Sequence, residues 1–204
     1  LESGGVAGSL SSGLHHAKRD HGDGYCTFNG LALATRAAQR AGAKRILIID
    51  LDAHCGGGTA ELLGDDPGVW QLDVAVDSYD RYSPPRGWTL DLVHDAARYL
   101  PTIKSRLDVM SKSGARFDLV LYNAGMDPFE ECATGGLPGV TSQILGRRDR
   151  LVFDWCRWHA RAPVAFVLAG GYATSDRGRA TLTRLHRGTV EAAARVATST
   201  EPVE

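Results

Sequence analysis

Cysteine is scarce in this 204-residue chain: Cys26, Cys55, Cys132 and Cys156 stand far apart, with no CxxC pair. That spacing excludes a compact disulfide framework and a structural zinc finger, and reduced thiols in a cytoplasmic protein fit it best. A surplus of either charge is also missing, since 23 Lys and Arg face 24 Asp and Glu, a net charge of -1. With no basic excess to neutralise a run of phosphates, nucleic acid and anionic membrane are not expected partners. No apolar run approaches the ~18 residues of a spanning helix, and no charged segment leads into an apolar signal-like one. The first nine residues, LESGGVAGS, carry too little apolar material for a full element and begin with Leu1 rather than Met. Both features point to a domain truncated at its N-terminus.

What is present is an alternation of short apolar runs with longer stretches of helical period, the pattern of βα units. The runs 45–49 (RILII), 69–76 (VWQLDVAV), 118–122 (DLVLY) and 163–168 (PVAFVL) are β-branched and nearly continuous. Strands covered on both faces read this way, so a mostly parallel sheet inside a three-layer α/β/α fold is expected. Helices are expected over 29–41, closed by Gly42, over 90–99 with a resumption after Pro101, from Thr141 onward, and over 179–196. In the third, Ile144, Leu145, Leu151, Val152, Trp155 and Cys156 form one stripe, with Arg147, Arg148 and Asp149 expected on the opposite, solvated side.

In an open parallel sheet, ligands bind outside the carboxyl ends of the strands. Asp50, Asp52 and His54 follow the first of these strands, Asp127 follows DLVLY and Tyr172 follows PVAFVL, while His15 and His16 precede the first helix. Asp52 and His54 are two apart, so on extended backbone both side chains reach toward one ion. Asp127 adds a third protein ligand and leaves a position open, as in catalytic zinc sites, although the same O/N set suits Mn or Fe(II). A DxDxH segment also occurs as a solvated acidic loop, adjacent histidines also occur in surface loops, and a tyrosine after two glycines also occurs in cores. The Gly56–Gly58 run before AELL lacks the lysine and spacing of a phosphate-binding loop. His21, His94, His159 and His186 have no second ligand at useful spacing.

Taken in order, GLHHAKRDHGDGYCTFN, IDLDAHCGGGTAELL, NAGMDP and VLAGGY resemble the zinc-dependent histone deacetylase superfamily, which includes the acetylpolyamine amidohydrolases. The resemblance runs from about Gly4 to Val196 and implies an arginase-deacetylase fold lacking its first strands and helices. It implies that Asp52, His54 and Asp127 hold Zn2+, with Fe2+ also suited. It further implies that His15 and His16 are catalytic, Asp50 backs His15, Tyr172 stabilises an oxyanion, and Gly24 and Tyr25 wall the acyl-lysine tunnel. K+ is implied near the carbonyl oxygens of Asp50, Asp52 and His54. The implied reaction is hydrolysis of an acyl-amide on an acylated lysine or an acetylpolyamine.

One departure stands out in His54-Cys55-Gly56-Gly57-Gly58. Where the resembled family carries an Asp or Asn to orient the second histidine, this chain has Gly57. Either another group or a water supports His16, or its proton chemistry is weakened; the expectation taken forward is weak deacylation of unactivated acetyl-amides and a gain of activity in Gly57→Asp if the backbone tolerates it. The ureohydrolase branch of the same fold needs a second metal through a DAHxD segment, and Gly56 cannot ligate. A catalytically weak or inactive acyl-amine binding protein is the alternative reading.

Overall fold

The computed structural model describes residues 5–200. In chain order it contains β1 (Val6–Ser9), α1 (Gly30–Arg40), β2 (Ile46–Asp50), α2 (Gly57–Leu63), β3 (Val69–Ala75), β4 (Thr89–Leu92) and α3 (Ala96–Lys112). After these come β5 (Leu119–Gly125), α4 (Ser142–Asp154), a π-helical extension over Trp155–Ala160, β6 (Val164–Ala169) and α5 (Asp176–Thr198). The six strands form one sheet in the order β1-β6-β5-β2-β3-β4, and every pair is parallel.

The alternation of side chains along a strand divides the core into two layers. Ile46 and Ile48 of β2 join Leu119 and Leu121 of β5 beneath Leu31 of α1 and Leu63 of α2. Leu47 and Ile49 point the other way, with Val120 and Tyr122, against Leu107 of α3, Leu145 of α4 and Ala192 of α5. Residues 46–49 of β2 and 119–122 of β5 are therefore buried on both faces, because helices cover each side, and the polar Asp50 and Asn123 appear only toward the carboxyl ends. This is the expected three-layer α/β/α arrangement.

Three local expectations change. Residues 89–92 form the edge strand β4 rather than the start of a helix: Trp88 is buried and donates its Nε1–H to Val69 O at 2.8 Å, which holds TLDL alongside β3. The helix begins later, capped by the Asp95 carboxylate, and runs through Pro101 without interruption. The glycine-rich N-terminus contributes a real element, because Val6–Ser9 pairs with β6 at the sheet edge; residues 1–4 of that opening lie outside the described residues. Finally, Arg148 and Asp149 are buried rather than solvated. Together they form a polar island between α4, β5 and α5.

From β2 the chain moves outward through β3 and β4, then crosses back to place β5 on the other side of β2. The strand order thus reverses between β2 and β5, and a crevice opens there at their carboxyl ends.

Candidate active site

The crevice is lined by the segments leaving β2 and β5. Asp50, the last residue of β2, is aligned with Asn123 of β5 on one side and Asp73 of β3 on the other. Asn123 donates its Nδ2–H to Asp50 Oδ1 at 2.8 Å, and Asp50 Oδ2 lies 2.8 Å from His15 Nδ1. Two residues on, Asp52 Oδ1 accepts from the backbone of His54 at 3.1 Å, and Asp127 Oδ1 accepts from the backbone of Ala53 at 3.0 Å. These bonds turn the remaining lone pairs inward.

His54 Nδ1 lies 3.1 Å from Asp52 Oδ1 and 3.0 Å from Asp127 Oδ2. Asp127 Oδ2 is buried, and its approach to His54 lacks hydrogen-bond geometry. One atom each from Asp52, His54 and Asp127 lies within 4.8 Å of the other two. Ligands at ~2.0–2.2 Å around a tetrahedral ion are about 3.4 Å apart, so this donor set fits a small divalent cation. Burial and the charge of Asp52 raise Asp127 to about 7, while against burial the close approach of the Asp127 and Asp52 carboxylates raises His54 to about 10. Three buried groups competing for one proton present the electrostatics that a cation would relieve.

The main chain reaches Tyr172 through Gly170 and Gly171, with φ of 56° and 92°. A Cβ on Gly170 would lie 2.4 Å from the Asp127 carboxylate, so only glycine allows β6 to exit this close to the ligand set. The Tyr172 backbone N–H donates to Cys132 Sγ at 3.0 Å. Its side chain lines a cleft of about 490 Å³ with His16, Gly24, Tyr25, His54 and Tyr79. Burial and the nearby Asp127 and Asp52 carboxylates raise the Tyr172 hydroxyl, which stays protonated. Tyr25 holds φ at 63° and stands exposed at the cleft mouth.

His15 and His16 are both buried, with their Nε2 atoms 3.0 Å apart. Burial alone would lower His15, yet the Asp50 and Asp52 carboxylates raise it well above the ordinary value. His16 is lowered, first by burial and then by the charge of His15, despite its hydrogen bond to Asp80. Burial and its carboxylate neighbours thus set the two imidazoles apart, with His15 the more readily protonated of the pair. His16 is neutral, with its Nδ1–H donated to Asp80 Oδ2 at 2.9 Å.

That bond decides between the two alternatives that Gly57 left open: another group supports His16. The carboxylate comes from the loop after β3 instead of from position 57. Three further residues around the site were not singled out from the sequence: Tyr79, whose ring meets His16 and His54 edge-on, Asn123 behind Asp50, and Arg148 beneath both ligand-bearing strands. Tyr79 and Asp80 follow the exit of β3, the same place relative to their strand from which the other site residues come, and that position is their sequence signal.

The sequence profile of the histone deacetylase domain matches residues 4–97. An uncharacterized protein of Picosynechococcus is 39% identical over 174 residues, covering 83% of this chain and 57% of the relative. Histone deacetylase 2 of Arabidopsis thaliana is 32% identical over 185 residues, covering 84% of this chain and 46% of its own length. The chain therefore spans about half the length of these relatives. Among solved structures, an acetylpolyamine aminohydrolase from Burkholderia pseudomallei superimposes with a TM-score of 0.75 at 20% identity. That match covers 94% of this chain and 57% of the solved one, and it establishes a shared fold.

Proposed function

The chain belongs to the histone deacetylase superfamily, and from that premise we propose that it is a metal-dependent amidohydrolase releasing acetate from an acetylated amine. The observation that carries this reading is the convergence of Asp52, His54 and Asp127 beside the His15-His16 pair in one cleft. We take the ion to be Zn2+, with Fe2+ suited to the same oxygen and nitrogen donors. A divalent ion held there supplies Lewis-acid polarisation of the amide carbonyl and lowers the pKa of a water.

The chain's own groups divide the remaining work. His16 accepts a proton at Nε2 from the attacking water, exchanging its contact with His15 Nε2 for that water, and later passes a proton to the departing amine. His15, held by Asp50, contributes positive charge beside it. The Tyr172 hydroxyl donates to the carbonyl oxygen as that atom gains negative charge. Tyr25 and Tyr79 flank the acyl chain, and Gly24 leaves room because a Cβ there would fall 2.3 Å from His16 Cδ2. The substrate is an acetylated lysine side chain or an acetylpolyamine. K+ would draw on the carbonyl oxygens around Asp50, Asp52 and His54 at the β2 exit; on the adjacent β3, Asp73 Oδ1 and Gln71 Oε1 are buried without partners. The alternative of an inactive acyl-amine binder rested on Gly57 and on a missing N-terminal segment, and the Asp80 bond to His16 answers the first of these.

Metal analysis together with acetate release from acetyl-lysine peptide and acetylspermidine tests this reading. We expect one divalent ion per chain, activity abolished by a chelator and restored by zinc, and neither ion nor activity in Asp127→Ala. Activity that persists after complete metal removal would refute the reading.

A further inference from the structure

The two faces of the His16 support are sterically exclusive. A Cβ built on Gly57 would fall 2.2 Å from Asp80 Oδ1 and 2.3 Å from the Asp80 carbonyl oxygen. Any side chain at 57 therefore occupies the space that Asp80 fills. Asp80 is held there by more than His16: its Oδ2 also accepts from the Gly58 backbone N–H at 3.0 Å, and its Oδ1 accepts from Lys18 Nζ. Its carboxylate is almost wholly buried, and its φ of 58° is a conformation that costs energy for a non-glycine residue. The next residue back is fixed as well, since Cys55 N–H donates to Tyr79 O at 3.0 Å. A strained, buried acid with every contact made toward one imidazole, one lysine and one helix N–H is placed for those contacts.

We propose that Asp80 is the positioning residue of His16: it fixes the Nδ1–H tautomer and ring orientation from the β3–β4 loop, and Gly57 is glycine so that it can. The assignment rests on the deacylase reading for its catalytic meaning and on the Asp80–His16 contact for its geometry. Lys18 anchors the outer oxygen, so the carboxylate cannot rotate away when His16 gains a proton. The relation also reverses the sequence-based expectation for position 57. Gly57→Asp should lower activity, because the clash involves the backbone oxygen of residue 80 as well as its side chain.

The test compares the parent with Asp80→Ala and Asp80→Asn, the latter keeping an oxygen acceptor for Nδ1–H. Two measurements are made on each: kcat and KM with zinc loaded, and the downfield imidazole N–H resonances of 15N-histidine-labelled protein, metal-free and loaded. A His16→Gln control assigns the signal. For Asp80→Ala we expect kcat to fall about 10–100-fold with KM and metal content unchanged, and the His16 resonance to vanish. Asp80→Asn should fall between the two, and it carries the test if Asp80→Ala does not fold. A kcat within twofold of the parent, a persisting His16 resonance, or a loss expressed only in KM or metal content would overturn the assignment. Should the parent itself release no acetate, the deacylase reading fails and the resonance alone decides the placement of Asp80.

Discussion

Tyr172 shows how a single side chain is made useful by its neighbours. Its hydroxyl has no structural task that the backbone bonds to Cys132 and Ala133 do not already perform. Replacing it with Phe should therefore leave folding and metal content intact while removing one donor from the developing oxyanion, a loss that typically costs about 10²–10³ in kcat. Steady-state kinetics on acetyl-lysine peptide, with KM within a few-fold of the parent, is the check. An unchanged kcat would make Tyr172 a wall residue only. Gly170 explains why the tyrosine arrives here at all, since no residue with a Cβ passes this close to Asp127.

Among the elements, α4 braces the site from below. Arg148 is wholly buried and donates from Nη1 to Gly125 O at 2.5 Å and to Leu51 O at 3.3 Å, the carbonyls that precede the Asp127 and Asp52 segments. Its charge is balanced by Asp149, which accepts from Arg148 Nε at 2.9 Å, from Tyr122 at 2.6 Å and from Thr189 of α5 at 2.6 Å. Removing one partner of a buried pair strands the other, so Asp149→Ala should cost about 3–5 kcal/mol, measured by urea unfolding of the metal-free protein. Replacing both charges with apolar residues of similar volume should cost much less. If the single variant is as stable as the parent, the pair is not what joins α4 to the strand ends.

For the molecule as a whole, histidines tie stability to pH in opposing directions: His15 and His54, raised by their carboxylate neighbours, favour the folded state toward lower pH, whereas the half-buried His186 disfavours it there. Burial and the nearby Arg148 guanidinium hold His186 of α5 below its ordinary value. The unfolded chain therefore takes up a proton near pH 6.5 while the folded protein still resists it. The His186 contribution is complete above that pH and is lost as pH drops from 6.5 toward the lower folded value. His16, lowered by burial, acts in the same direction. Melting temperatures of metal-free parent and His186→Gln at pH 7.5 and 5.5 check this: the drop on acidification should be smaller in the variant. An equal drop in both would remove His186 as a cause. Among the described residues, no helix is long and apolar enough to cross a membrane.

The amino-acid sequence by itself determined the parallel sheet, because doubly covered strands must be apolar at every position, as 46–49 and 119–122 are. It also determined which residues reach the crevice from β2, β5 and β6, since ligand spacing in IDLDAH and the glycine pair before Tyr172 are local patterns. TLDL at 89–92 was not legible, because four half-buried residues suit an edge strand and a helix start equally well. Arg148 and Asp149 read as surface charges because their partners lie on Tyr122, Thr189 and two distant carbonyls. Only the tertiary structure decided what supports His16. Asp80 is 64 residues from it in sequence, so nothing short of the fold brings that carboxylate into the space Gly57 leaves open.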